Sequence, residues 1–451
     1  MTIAIRPVPG PAREYHFPRF TARTLDNGMT VIVAPVKKLP LVSVAAVIDA
    51  TALGDPAGKE GAAEITAQSL KEGTETRDGI QLAVDLEKLG TSFESGADWD
   101  STIASMTVLS EKLESAFEIF SGVLRAPALR DSDIDRLKAE RLAERIQILD
   151  EPRGLADESF SRFIYSSGSR YSRPMSGTSR SIASITKSDV ESFYRRNYVP
   201  SATSIILAGD IAVEDGVRLV ESAFGDWTGG ARQQNGPADR PARNSRASEV
   251  VAKEEAAQSE LRMGHAGVPR THPDYFNIVV MNAVLGGLFS SRINLNLREQ
   301  HGYTYGASSY FDWRRQAGPF TISTAVQSEV TAAAIAETLK EVDRMRSEKI
   351  SNEELTLATS YLQGVFPIRY ETTSAIASAL ASMVTFGLPE DYYDTYRNNI
   401  GAVTEEDVLS AAREYVRPEE LQVSVVGNPA LILEPMQSVL GDVDVREAGD
   451  D

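Results

Sequence analysis

The 451-residue chain contains no cysteine. Disulfides, thiolate nucleophiles and cysteine-bound zinc are therefore excluded together. Histidine is almost as scarce: His16, His265, His272 and His301 are the four present. None forms an H-x-x-x-H pair on a helix face, the spacing with which two imidazoles share a metal. His265 and His272 flank a turn at 267–269, and His301 reads as an exposed loop residue. No apolar run approaches the ~20 residues of a membrane-spanning helix. Residues 1–13 carry Pro7, Pro9 and Pro11 and no apolar h-region, so no signal peptide is read there. The expected location is cytoplasmic, or periplasmic if a signal has been removed. Positive charge is in deficit, with 46 basic against 64 acidic residues and a net charge of −18. Phosphate binding needs clustered Lys and Arg, so nucleic acid is not an expected partner. The acidic surface suits basic peptides, or serves solubility alone.

Other chemistries fail on spacing. Gly54-Asp-Pro-Ala-Gly58-Lys59-Glu60 brushes against a phosphate-binding loop, but no Ser or Thr follows Lys59. No G-x-S-x-G elbow occurs. Glu60 and Glu64 form an i,i+4 carboxylate pair of the kind that usually sits solvated on a helix.

What is present is a repeat. Apolar residues make up 42% and charged residues 24%, ordinary for a soluble globular protein. The length is too great for one core. Asp189, Val190, Pro200 and Gly209 recur as Asp407, Val408, Pro418 and Gly427, each pair 218 positions apart (407 − 189 for the first). Both segments begin with Thr-x-x-Asp (Thr186, Thr404), a capping-box-like helix start. An amphipathic helix follows, ended by Pro200 or Pro418, and then a β-rich run ended by Gly. Earlier parts correspond more loosely. Strands at 41–48 and 259–264 precede helices near 59–72 and 273–286. Strands near 101–109 and 320–325 precede helices at 110–124 and 328–348, with Leu113, Ala116, Phe117 and Phe120, or Ala332, Ile335, Leu339 and Val342, at helical spacing. Residues 228–247, rich in Gly, Pro and Arg, read as an exposed linker. The predicted organisation is a tail at 1–18, an N-terminal half at 19–227, the linker, a C-terminal half at 248–432 and an acidic tail at 433–451. The predicted class is α+β, with two homologous halves.

Three stretches carry a family resemblance. They are Leu25-Asp-Asn-Gly-Met-Thr-Val31, Gly286-Gly-Leu-Phe-Ser-Ser-Arg292 and Leu297-Arg-Glu-Gln-His-Gly-Tyr-Thr-Tyr-Gly306. A fourth, Gly61-Ala-Ala-Glu-Ile-Thr-Ala-Gln-Ser-Leu-Lys-Glu-Gly73-Thr74, fits the frame in which pitrilysin/insulinase-type peptidases carry H-x-x-E-H. Over about 19–430 the chain resembles the short type of that family, similar to mitochondrial processing peptidase subunits and their bacterial relatives. In the motif's frame the first His position holds Glu64, the general-base Glu position holds Ala67, and the second His position holds Gln68. The third metal ligand, 76 residues after the second His (144 − 68), falls on Glu144, which is either a vestigial ligand or a solvated Glu on a charged helix. Carboxylates and an amide do not make the tetrahedral site zinc prefers.

The resemblance implies a clamshell of two halves, each a mixed, mostly antiparallel sheet covered by helices. It implies that a peptide lies along a strand edge. It also implies that an Arg and a Tyr seven residues apart, here Arg298 and Tyr305, contact substrate near the metal. An Arg fork can hold a peptide carbonyl or carboxylate, and a Tyr hydroxyl can donate to the oxyanion formed on attack. Outside that frame both would read as structural, an ion pair and a core aromatic. The expected function is that of the non-catalytic subunit of a heterodimeric zinc peptidase. This chain would bind no cofactor, and a partner of the same family would hold the zinc and complete the H-x-x-E-H chemistry on a peptide substrate. The other reading is an inert scaffold or peptide-binding protein of the same fold.

Overall fold

Thr186 and Thr404 each accept from the backbone N–H three residues on, and Asp189 and Asp407 each bond back to the cap. These two capping boxes open the repeated helices Lys187–Asn197 and Glu405–Tyr415. Each helix stops before its proline. Asn197 is the last helical residue of the first, and Pro200 instead opens the 3-10 turn Pro200–Ala202, because the residue before a proline is pushed out of the helical region.

The computed structural model describes residues 14–231 and 236–450. Each half builds one six-stranded sheet. The first contains β1 (Thr21–Thr24), β2 (Thr30–Pro35), β3 (Leu41–Ile48), β4 (Glu94–Ala97), β5 (Thr102–Leu109) and β6 (Thr203–Gly209), in the order β1-β2-β6-β3-β5-β4. The second contains β7 (Ala247–Ala252), β8 (Gln258–Ala266), β9 (Ala307–Phe311), β10 (Pro319–Gln327), β11 (Gln422–Gly427) and β12 (Asp444–Glu447), in the order β12-β7-β11-β8-β10-β9. The pair β2–β6 and its counterpart β7–β11 are parallel, as is β12–β7; every other neighbouring pair is antiparallel. Two mixed sheets covered by helices, one per half, are the clamshell-type α+β fold expected.

The halves are joined by an exchange of equivalent helices. Pro152–Ile164 of the N-terminal half packs on β8 and β11, and Thr373–Phe386 of the C-terminal half packs on β3 and β6. Ser43 and Thr373 share a buried hydroxyl hydrogen bond of 2.8 Å. Arg262 on β8, 1% exposed, donates to Asp157 on the exchanged helix at 2.6 Å. One apolar cluster contains Ala45, Val47 and Ile206 from the first sheet and Ile376, Ala377 and Leu380 from the helix laid over it. Leu380→Ala is expected to cost about 2–5 kcal/mol, the usual range for a buried Leu truncation, read as a lowered urea midpoint.

A second tie between the halves is electrostatic. Arg315 pairs with Asp49, donates from Nε to the Thr385 carbonyl at 2.6 Å, and its N–H donates to Asp100 Oδ2 at 3.1 Å. Asp100 Oδ1 is buried without a hydrogen-bond partner. Burial pushes the Asp100 carboxyl up to about 6, against the pull of the Arg315 N–H and of the Arg315 and Arg314 charges. A raised folded-state value means the protonated form is favoured on folding. Its stabilisation is complete below the ordinary carboxylate range and is lost as pH rises through 6. Asp100→Asn is expected to flatten this dependence and to gain about 2–3 kcal/mol above pH 7, at 1.36 kcal/mol per unit, in denaturation curves taken from pH 4 to pH 8.

Three expectations change. The acidic tail expected at 433–451 is not free over the described residues 433–450: helix Pro429–Leu440 runs into it, and β12 joins the second sheet. The linker at 228–247 falls partly outside the described residues, at 232–235, as does most of the tail at 1–18. The rest of the linker is anchored, with Ala238 buried, its N–H on Gln316 at 2.5 Å, and Arg243 stacked on Phe163 at 4.3 Å. Third, among the described residues one helical run, Tyr275–Gln300, is long and apolar enough by length and composition to cross a membrane. Its Ile278, Val280, Met281, Leu285, Ile293 and Leu297 are buried in the apolar cluster of the C-terminal half, the position of a core helix.

Candidate functional site

The helix Ala62–Ser69 carries the three motif positions. It starts at Gly61, whose φ of +101° suits glycine, and a Cβ there would meet the Ser176 carbonyl oxygen at 2.4 Å. Asp55 caps the helix from outside, accepting from the Gly61 N–H at 2.9 Å and the Ala63 N–H at 2.7 Å. Arg170 braces Asp55 at 3.0 Å. Asp55 lies in the stretch that brushes against a phosphate-binding loop, and its role is visible only in three dimensions.

Glu64 is the centre of a polar network. Its Oε1 accepts from Gln68 Nε2 at 2.7 Å, and its Oε2 accepts from the Ala97 N–H of β4 at 2.9 Å. Arg141, on helix Asp131–Asp150, lies 4.0 Å from Glu64 and donates to Glu144 at 2.9 Å. A guanidinium thus stands between the first motif position and the third. Ala67, at the general-base position, is a buried methyl group, and its carbonyl accepts from Ser95 at 2.6 Å. These residues do not fit a zinc ion. Zinc takes lone pairs from three or four N, S or O ligands that converge on one point. Here both oxygens of Glu64 are already engaged, Gln68 turns its NH₂ toward Glu64, and a fixed positive charge is in reach of both carboxylates. Among the described residues no group of three or more His, Asp or Glu is placed to hold a metal ion. The sequence counts Arg141 only among the charges of the run 136–145 that make Glu144 read as solvated; its reach to Glu64 is visible only in three dimensions.

The second block lies on the C-terminal half. Arg298 sits in a π-helical turn, Leu295–Gln300, and stacks over the Phe289 ring at 4.4 Å. Its nearest charge is Glu299 at 3.6 Å, and its Nη1 is buried with no hydrogen-bond partner. A buried guanidinium nitrogen left unbonded is costly unless something else comes to meet it. Tyr305 is 95% exposed and Phe289 72% exposed. Both line a cleft of about 340 Å³ with Gly286, Asn294 and Ser308, beside the edge strand β9. Tyr305 is therefore not a core aromatic. His301 is exposed and stacks on Tyr303 at 4.9 Å.

Phe289 stacks on Arg298 and shares the cleft with Tyr305, while Arg298 itself does not line that cleft; Glu64, Gln68 and Glu144 gather around Arg141. No hydrogen bond or ion pair among the described residues joins one cluster to the other. The second cluster has open hydrogen-bonding capacity and exposed aromatic surface. In the first, both Glu64 oxygens are engaged, while Gln68 Oε1 and Arg141 Nε are buried without hydrogen-bond partners.

Two family models match the chain, together spanning most of it: "Insulinase (Peptidase family M16)" over residues 31–176 and "Peptidase M16 inactive domain" over residues 184–362. Among curated relatives, an uncharacterised zinc protease of Streptomyces coelicolor is 24% identical over 81% of this chain and 80% of its own length. One of Bacillus subtilis is 22% identical over 87% and 94%. Among solved structures, a peptidase M16 inactive domain from Pseudomonas fluorescens superposes with a TM-score of 0.85 at 23% identity, covering 91% of this chain and 98% of that one. A protease from Helicobacter pylori gives 0.85 at 17% identity, covering 91% and 99%.

Proposed function

The chain belongs to the insulinase peptidase family, M16, and from that premise we propose that it is the non-catalytic subunit of a two-chain zinc peptidase. The observation that carries this reading is the cleft beside β9, where Tyr305 and Phe289 stand exposed and Phe289 stacks on Arg298, whose Nη1 has no hydrogen-bond partner. A peptide laid across the cleft would meet Tyr305 and Phe289 directly, Arg298 behind Phe289 would take a peptide carbonyl once its side chain shifts to meet it, and the Tyr305 hydroxyl would donate to the oxyanion formed on attack at the partner's site. In this division of labour the partner carries an intact H-x-x-E-H and the zinc. This chain closes the chamber and positions the substrate. Phe289 adds an apolar face for a substrate side chain and holds the Arg298 plane in place.

The test is affinity purification from native cells, with mass spectrometry of whatever co-elutes in equal amount. A stoichiometric companion bearing H-x-x-E-H supports the reading, and peptide cleavage by the pair but by neither chain alone completes it. Recovery of this chain by itself, or with unrelated subunits, defeats it in favour of the inert scaffold.

A further inference from the structure

Strand β12 takes the edge position that β1 holds in the N-terminal half, but reaches it by a different route. There the equivalent edge, on β2, is covered by β1 in an antiparallel hairpin, whereas β12 lies parallel on β7 and arrives from the far end of the chain. All four residues of β12 are exposed, so it is held by backbone pairing and by one side chain. That side chain is Arg446, which meets Glu249 at 3.2 Å. Glu249 is 0% exposed, and Ser424 donates to its other oxygen at 2.9 Å. Beyond β12 the chain crosses to the N-terminal half. The Gly449 carbonyl accepts from Arg162 at 3.4 Å. Asp450 Oδ1 accepts from Arg145 Nε at 2.6 Å, and its Oδ2 accepts from the Ser179 N–H at 2.6 Å. Arg145 is 1% exposed and is also paired with Glu158.

The segment 444–450 therefore presents a cation to a buried anion in one half and, four residues on, an anion to a buried cation in the other. Burial leaves the Glu249 carboxyl above its usual range even with Ser424 and Arg446 beside it. At Asp450 the upward push of burial is outweighed by Ser179 and Arg145, which hold it below. Past Arg162 the site opens into a cleft of about 820 Å³ whose walls include Lys59, Arg162, Arg173 and Arg180 together with Glu60, which pairs with Arg173; Lys59 pairs with Asp189. In a chain of net charge −18, this is a local concentration of positive charge. The arrangement is that of a peptide bound by strand addition, in which backbone bonds supply affinity and pockets for chosen side chains supply selectivity.

We propose that the edge of β7, Glu249, Arg145 and the basic cleft form a docking site for an extended peptide with a basic residue four positions before an acidic one, a site that residues 444–450 occupy in cis.

The test uses the full chain carrying Arg446→Ala and Asp450→Ala, which removes both anchors of the resident segment, with a fluorescent synthetic peptide of residues 443–450 as probe. Saturable binding in anisotropy is expected, roughly tenfold or more tighter than to the unaltered protein, because a tethered competitor acts at millimolar effective concentration. The same peptide with Ala at positions 446 and 450 is expected to lose that binding. No binding to the variant, equal binding to variant and unaltered protein, or equal binding of the two peptides overturns the proposal. If the variant does not fold, hydrogen exchange of the β12 amides in the unaltered protein decides. Excess native-sequence peptide should speed their exchange while the uncharged peptide does not, and no difference between the two overturns the proposal.

Discussion

Arg298→Ala and Tyr305→Phe are each expected to lower turnover of the assembled two-chain peptidase by roughly 10²-fold, the usual consequence of removing one preorganised donor from a developing charge. The partner's zinc content should not change, because neither side chain is among the residues that would hold it. The two variants should differ in kind. Arg298 is placed to hold a carbonyl already present in the bound peptide, so its loss should raise KM as well as lower kcat. The Tyr305 hydroxyl matters most once the oxyanion forms, so its loss should fall on kcat. Arg298→Lys should recover little, since an ammonium cannot reproduce the planar fork or its stack on Phe289. Steady-state kinetics on one peptide, with metal analysis of each preparation, separates these outcomes. Unchanged turnover in both the Arg298→Ala and Tyr305→Phe variants would sink the substrate-positioning role of this subunit and leave Arg298 and Tyr305 as inherited structure.

The parts of the fold legible in the sequence are those written locally. A capping box spans four residues, and a proline or glycine stop spans one, so the repeated helix–turn–strand at Thr186 and Thr404 is readable without knowing what it packs against. The exchange of helices between halves is not written that way. Pro152–Ile164 and Thr373–Phe386 look like ordinary amphipathic segments, and nothing within either says which sheet it will cover. The same holds for residues 444–450, whose acidic composition reads as a solvated tail until Arg446 and Asp450 meet counter-charges 197 and 305 residues away. In the site, Arg298 and Tyr305 were expected only through the family resemblance, and without it both read as structural. That Phe289 joins them depends on the chain folding back through Tyr275–Gln300. At the motif helix the substitutions were legible, but what replaced the chemistry was not, because Arg141 reaches Glu64 across two helices.

Arg141 turns the motif positions into a test of what it takes to undo the site. Restoring the three residues alone, as Glu64→His, Ala67→Glu and Gln68→His, is expected to give at most substoichiometric zinc. Glu144 would remain held by the guanidinium at 2.9 Å, and a fixed cation beside the two imidazoles opposes a second, divalent one by the same Coulomb term that makes like charges costly at this separation. Adding Arg141→Leu removes that charge and frees Glu144, and one zinc per chain is the expected result. The second substitution also tests what Arg141 does in the unaltered protein. Arg141→Leu alone should weaken the tie between the motif helix and Asp131–Asp150 and lower stability by about 1 kcal/mol, the scale of a partly exposed ion pair, since its side chain is only 22% exposed while Glu144 is 47% exposed. Metal analysis of dialysed protein reads the first effect and a urea midpoint the second. Stoichiometric zinc in the triple variant with Arg141 retained would mean that the guanidinium merely fills space near the carboxylates, and that loss of His and Glu at positions 64, 67 and 68 is by itself the whole difference from a metal-binding helix.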